Sequence, residues 1–445
     1  MVILQPSPAR LFLPIQLISA KTPAVMATAS TVTIAMIAMT SLENGRRTLK
    51  NLHAPGRCAV REGRIGRESG AAGPGRPRRV PAGRGGGGRV AGMSTRLDLT
   101  QDVGALTARI VDIESVSGGE KALADAVEEA LRALPHLSVD RDGESVVART
   151  RLGRGERVVI AGHLDTVPVA GNLPSRVEGD LLYGCGTSDM KSGVAVALRL
   201  AAALEEPGRD VTYVFYDCEE IEAERNGLLR LSRNRPEWLA GDFAVLMEPT
   251  DGTIEGGCQG TLRAQVVTRG ERAHSARSWL GVNAIHAAGP VLEILERYEA
   301  RLPVVDGLEY HEGLNAVGIA GGVAGNVIPD ECVVTVNYRF APDLSLEAAR
   351  EHVREVFDGF EVRFTDGAPA ARPGLTHPVA AAFVTAVGGV PRAKLGWTDV
   401  SLFSELGIPA VNYGPGDPNL AHQRGEFVSL EKIAECERRM LAWLR

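Results

Sequence analysis

The stretch RVVIAGHLDTVP (157–168) decides how the chain is read. It opens with a short apolar run between Arg157 and Gly162, the pattern of a strand buried on both faces. The run ends on His163, and Asp165 follows two residues later, so polar chemistry begins where the strand stops. Upstream, Val103–Ile113 and Ala122–Leu134 carry apolar residues at helical spacing. Downstream, Met190–Leu204 reads as a helix, and Asp210–Asp217 (DVTYVFYD) and Phe243–Met247 (FAVLM) as further strands. Strands separated by helices predict an α/β domain with a mostly parallel sheet and helices on both faces. In such sheets ligands bind beyond the carboxyl ends of the strands.

The rhythm changes between 261 and 370. Thr261–Gly270 is expected to be a strand, and Asn283–Leu302 a helix presenting Ile285, Ala288, Leu292 and Leu295 on one face. Leu314–Gly321 and Glu331–Phe340 read as strands, the second alternating Cys332, Val334, Val336, Tyr338 and Phe340 toward one side. Leu346–Phe357 reads as a helix and Phe360–Phe364 as a last strand. The order β-α-β-β-α-β is ferredoxin-like. The expected organisation is therefore an α/β domain over 93–260, an inserted α+β domain over 261–370, and a return to the first domain over 371–445.

Composition narrows the function. The chain has 445 residues, 44% hydrophobic and 23% charged, which are ordinary globular values. Its net charge of −6 is unevenly spread. Residues 1–92 hold 14 of the 49 Lys/Arg against Glu43, Glu62 and Glu68, a net of +11. The other 353 residues keep 35 basic and 52 acidic groups, a net of −17. An acidic body of that size argues against nucleic acid or an anionic membrane as partner. The six cysteines are never closer than 33 residues, which excludes CxxC zinc or redox motifs and points to a reducing, cytoplasmic compartment.

Residues 1–92 read as foreign to the rest. Residues 11–40 are apolar but interrupted by Lys21 and by Thr, Ser and Pro, short of the ~18 uninterrupted apolar residues a membrane span needs. Residues 56–92 are rich in Gly, Arg and Pro and cannot bury a core. The expectation is a non-native or disordered extension, with translation beginning at Met93.

The chemistry gathers at strand ends. His163 (AGHLDTVP) follows one strand, Glu219 and Glu220 (DCEE) the next, and Glu248 (MEPT) the third. Asp189 (GTSDMKSG) precedes a helix, whose exposed N–H groups favour a carboxylate, and His422 (AHQRGE) lies in a late loop. Singly, each has an ordinary reading: a loop histidine, a solvated acidic pair, a helix cap. Jointly, two imidazoles and four carboxylates converge on one sheet edge, and so many acids do not stay ionised together without cations. Histidine and carboxylate without thiolate suits Zn²⁺, Co²⁺ or Mn²⁺.

These five motifs, in order, resemble the two-zinc aminoacylase/deacylase metallopeptidases. The likeness extends through GCQGTLR (257–263), AHSARSWLGVNAIH (273–286), GNVIPDECVVTVNYRFAPD (325–343) and GWTDVSLF (396–403), and covers essentially 93–445. It implies a zinc-peptidase-like α/β catalytic domain with an inserted ferredoxin-like lid and dimerisation domain, the whole acting as a homodimer. It also implies two Zn²⁺ per subunit, with Co²⁺ as substitute. Asp189 would bridge them, His163 and Glu248 would complete one site, and Glu220 and His422 the other. Three carboxylates against two Zn²⁺ leave a local charge of +1, which attracts an anionic N-acyl amino acid.

By the same resemblance Glu219 is the general base and Asp165 lies behind the ligands, holding one in place. His274 binds the oxyanion of the partner subunit's reaction, and Asn326, Arg339 and Thr398 contact substrate. The Asp189–Met190 peptide is expected to be cis. The likeness is greatest to actinobacterial members that remove succinate from N-succinyl-LL-2,6-diaminopimelate, a step in making lysine and cell-wall precursors. Members that remove acetyl groups, such as acetylornithine deacetylases, and related exopeptidases share the metal motifs and stand as the alternative.

Overall fold

The computed structural model describes residues 96–445. The expectation for 1–92 lies outside them. The two main sheets are built from strands that run, in chain order, β1 (Ser138–Asp142), β2 (Ser145–Arg149), β3 (Arg157–His163), β4 (Asp210–Tyr216), β5 (Phe243–Leu246), β6 (Glu255–Gly256), β7 (Gly260–Arg269), β8 (Gly313–Gly321), β9 (Glu331–Phe340), β10 (Glu361–Ala368), β11 (Arg392–Ala393) and β12 (Ala410–Asn412).

Eight strands form the large sheet in the order β1-β2-β4-β3-β5-β12-β6-β11. Its centre, β4-β3-β5-β12, is parallel throughout. The β1–β2 hairpin adds antiparallel strands at one side. Alternation along β3 feeds both faces. Val158 and Ile160 pack with the helices Val103–Val111, Lys121–Arg132, Ser192–Ala203 and Leu430–Leu444, while Val159 and Ala161 pack with Leu228, Leu231 and Phe403. A strand covered on both sides has no room for polar residues, which explains the unbroken VVIA run.

The lid sheet has the order β8-β9-β7-β10, entirely antiparallel, which is the ferredoxin-like arrangement. In β9, Cys332, Val334, Val336, Tyr338 and Phe340 are buried against Ala288, Val291, Ala349, Val353 and Phe357. Gly260 is required under this layer, because a Cβ there would come within 2.1 Å of the Phe340 ring.

Two expectations need correction. The helix expected over 283–302 is broken into Ala284–Ala287 and Gly289–Glu296. Pro290 has no N–H to continue the first segment and instead starts the second. The break rotates the buried face, so Val291 is buried while Ile285 and Leu292 stay exposed. The helix expected to begin at Met190 begins at Ser192, and Asp189 does not cap it. Residues Thr187–Lys191 form an irregular turn in which Asp189 and Met190 have non-helical torsions and are joined by a cis peptide. Among the described residues no helix is long and apolar enough to cross a membrane, and Cys185, Cys218, Cys258, Cys332 and Cys436 are free and buried.

Candidate active site

The parallel strands end on one edge of the large sheet, and three of them, β3, β4 and β5, lead there into residues able to bind a metal. β3 ends on His163, which is buried. The chain after β4 turns at Cys218, held in the left-handed region (φ 59°), and presents Glu219 and Glu220. Glu248 follows β5. Asp189 arrives from the turn before Ser192–Ala203. That helix closes on the strand through Gly193, where a Cβ would lie 2.2 Å from the Met247 carbonyl oxygen.

Asp189 sits between two imidazoles. Its Oδ1 is 3.2 Å from His163 Nε2, and its Oδ2 is 3.5 Å from His422 Nε2. His422 Nε2 is also 2.9 Å from Glu220 Oε1. Two triads of potential ligand atoms share Asp189: His163, Asp189 and Glu248, and Asp189, Glu220 and His422, each with its atoms within 4.8 Å of one another. A third such grouping joins His163, Glu219 and Glu220.

Electrostatics mark the cluster as incomplete. Glu248 is 5% exposed, and its Oε1 has no hydrogen-bond partner. Burial and then the nearby Asp189 push Glu248 up to about 8. Glu219 is held well above the usual carboxylate range, chiefly by burial; His163 pulls it down, while Glu248, Asp399 and Glu220 push it further up. Asp189 is partly buried, and desolvation opposes its charge, yet hydrogen bonds to His163 and His422 hold it below the usual range. His422, half exposed, is pushed up to about 10 by its hydrogen bonds to Asp189 and Glu220. An orphaned buried carboxylate oxygen beside a shared carboxylate and two imidazoles fits divalent cations, which would satisfy these lone pairs together.

Asp165 organises two sides of this cluster. Its backbone carbonyl accepts from His163 Nδ1 at 3.0 Å, which fixes the ring with Nε2 turned toward Asp189. Its carboxylate accepts the N–H groups of Glu219 and Glu220, both at 3.0 Å, and the Ser117 hydroxyl at 2.7 Å. Burial works against the charge, but the His163 contact and these donors keep Asp165 below the usual range. Its side chain therefore grips the loop of the two glutamates more than it grips His163.

The remaining expected residues lie elsewhere. His274 is exposed on the lid and belongs to none of the three groupings. Its Nδ1 accepts the Ala276 N–H at 3.0 Å and caps the short turn Ser275–Leu280. Asn326 is brought beside it, its carbonyl accepting the Ser275 N–H at 2.9 Å. Arg339 is exposed on β9, opposite Thr261 of β7 and on the face away from the lid helices. Thr398 is buried, with its hydroxyl donated to Asn412 Oδ1 at 2.9 Å.

Asp399 and Glu426, both buried, went unassigned in the sequence. Asp399, next to Thr398, accepts from Asn226 Nδ2 at 2.9 Å, and burial pushes it up to about 6. Glu426 closes the AHQRGE motif and accepts backbone N–H groups from the Asp189 turn. Both lie inside quoted motifs, but a carboxylate whose partners come from a distant segment looks in sequence like any other.

A mostly parallel sheet with a carboxylate shared between two histidine-bearing triads is the arrangement of a metal-dependent amidohydrolase, and the chain belongs to peptidase family M20/M25/M40, whose model matches residues 159–445. Within that family it is 60% identical over 340 residues to the putative succinyl-diaminopimelate desuccinylase DapE of Mycobacterium tuberculosis, spanning 76% of this chain and 96% of that one. It is 51% identical over 350 residues to the succinyl-diaminopimelate desuccinylase of Corynebacterium glutamicum, spanning 76% of this chain and 95% of the relative. Among solved structures it resembles the Bacillus subtilis YXEP protein, a dinuclear metal-binding peptidase of the M20 family. The TM-score is 0.57 and the identity 19%, over 77% of this chain and 96% of that one.

Proposed function

We propose that this chain is a succinyl-diaminopimelate desuccinylase, hydrolysing N-succinyl-LL-2,6-diaminopimelate to succinate and LL-2,6-diaminopimelate in the cytoplasm. The observation that carries the reading is 60% identity across 96% of a relative bearing that name. Two Zn²⁺, or Co²⁺ in their place, would be held by His163, Asp189 and Glu248 and by Asp189, Glu220 and His422. When bound, the ions supply electrophilic polarisation of the amide carbonyl and positive charge for an anionic substrate.

Glu219 is the general base. Its burial among other carboxylates raises its affinity for a proton, which suits a group that must take one from the attacking water. It then returns that proton to the leaving amine nitrogen as the C–N bond breaks, so the free amine departs and succinate keeps the water oxygen. Asp165 keeps Glu219 and Glu220 in register through their backbone N–H groups.

His274 and Asn326 are supplied by the lid of the partner subunit in a homodimer, with His274 Nε2 facing the oxyanion and Asn326, Arg339 and Thr398 serving the substrate. The exposed apolar side chains Trp279, Leu280, Val317 and Ile319 support a partner on the lid. Release of free amine from a panel of N-succinyl and N-acetyl amino acids, with zinc added, tests the reading. N-succinyl-LL-2,6-diaminopimelate is expected to be cleaved with the highest kcat/KM. Preference for N-acetylornithine would overturn it.

A further inference from the structure

Glu426 is a charged group with no place in the chemistry above, yet it is 2% exposed. Its Oε1 accepts the backbone N–H groups of Ser188 at 2.7 Å and Asp189 at 3.0 Å, and its Oε2 accepts that of Gly186 at 2.9 Å. All three donors belong to the turn that aims Asp189. The nearby Lys191 ammonium is committed to the Ile113 carbonyl at 2.8 Å and does not hydrogen-bond to Glu426. A buried carboxylate is expensive, and three charge-assisted hydrogen bonds to one rigid turn are what offsets the cost here.

The same segment carries His422, four residues earlier, with its backbone in the left-handed region (φ 62°) that a histidine rarely adopts. Two further bonds tie the segments: Gly184 N–H to the Glu426 carbonyl at 3.2 Å, and the Ser188 hydroxyl to the Asp417 carbonyl at 3.0 Å. Contact is close enough that a Cβ on Gly416 would lie 2.3 Å from the Ser188 carbonyl oxygen. Asp189 and His422 are thus mounted on two loops that are far apart in sequence and clamped to each other.

We propose that Glu426 is a positioning residue that locks the Asp189 turn to the His422 loop and thereby sets the affinity of the Asp189, Glu220 and His422 triad for a divalent cation. The proposal rests on the metal reading above. Glu426 touches neither cation nor substrate. It fixes the turn of one proposed ligand against the loop of the other, two segments far apart in sequence. The companion triad depends less on this clamp, because His163 and Glu248 are mounted on β3 and the end of β5.

Metal-free full-length protein titrated with Co²⁺, followed by visible absorption and calorimetry, tests this. Wild type is expected to take two equivalents; failure to do so removes the metal reading itself. In Glu426→Gln one oxygen still serves Ser188 and Asp189, but an amide N–H₂ confronts the Gly186 N–H. One of the two equivalents should then bind about 10–100-fold more weakly, with an altered cobalt spectrum. Glu426→Ala should lose more, and Gln should be the milder variant. Wild-type affinity for both equivalents in Glu426→Gln overturns the proposal. So does equal loss of both equivalents together with a collapsed melting midpoint of the metal-free protein, which would make Glu426 a residue of the fold.

Discussion

Along the large sheet the strand ends carry carboxyl groups that the polypeptide alone does not satisfy as anions, with Glu248 Oε1 unpartnered and Glu219 held far above its ordinary range. Along the lid the situation is reversed. Its buried carboxylate, Glu312, is satisfied by Arg301, the Tyr338 hydroxyl and the Ala341 N–H, while apolar side chains of β8 such as Val317 and Ile319 face outward at 60% and 55% exposure. Each region is unfinished in a different currency. The first lacks positive charge at a point and calls for cations; the second lacks a covering surface and calls for protein. In the proposed reading, catalytic geometry is decided on the parallel sheet and assembly on the lid.

The sharpest way to break this division is Glu219→Gln. Turnover should fall by at least ~10²–10⁴-fold while both metal equivalents remain, because in the proposed mechanism the residue moves a proton and holds no ion. Near-normal kcat, or loss of metal, would end that assignment.

The lid should break differently. Phe340→Ala removes a fully buried ring from the lid core and should cost about 3–5 kcal/mol in denaturant unfolding. Metal stoichiometry of the variant should be unchanged. A parallel loss of metal would show that the two regions are not separable.

Glu248→Ala should leave stability of the lid alone and lower bound metal from two equivalents toward one, read by elemental analysis. His163→Ala should do the same. Two full equivalents in both variants would contradict the ligand assignment.

The smallest signal tests whether the regions meet across subunits. Glu219→Gln and His274→Ala are each expected to be inactive. If His274 acts in trans, subunit exchange makes about half of the dimers mixed, each with one intact site, so about a quarter of sites should revive. A mixture that stays dead despite demonstrated exchange places His274 within its own chain, where its Nδ1 already caps a turn.

The alternation in Glu331–Phe340 and the apolar run in Arg157–Gly162 were legible because one-sided and two-sided burial leave period-two and continuous patterns in the residues themselves. His163, Glu220, Glu248 and His422 stood out as residue types able to bind metal at strand ends and in a late loop. What sequence could not carry was any property defined by a second segment. Pro290 broke a helix whose spacing alone looked continuous, because apolar period does not register a missing N–H. Asp165 turned out to hold the backbone of Glu219 and Glu220, and Glu426 the backbone of Gly186, Ser188 and Asp189. A carboxylate binding backbone amides leaves no complementary residue type to notice.

Sequence by itself thus determined the order of elements, the α/β and ferredoxin-like layers, and which residue types could meet at the strand ends. Only the tertiary structure decided that Asp189 lies between His163 and His422, and that one oxygen of Glu248 is left without a partner. The reason is physical: burial and desolvation are properties of the packed assembly, set by segments hundreds of residues apart, and no local pattern records them.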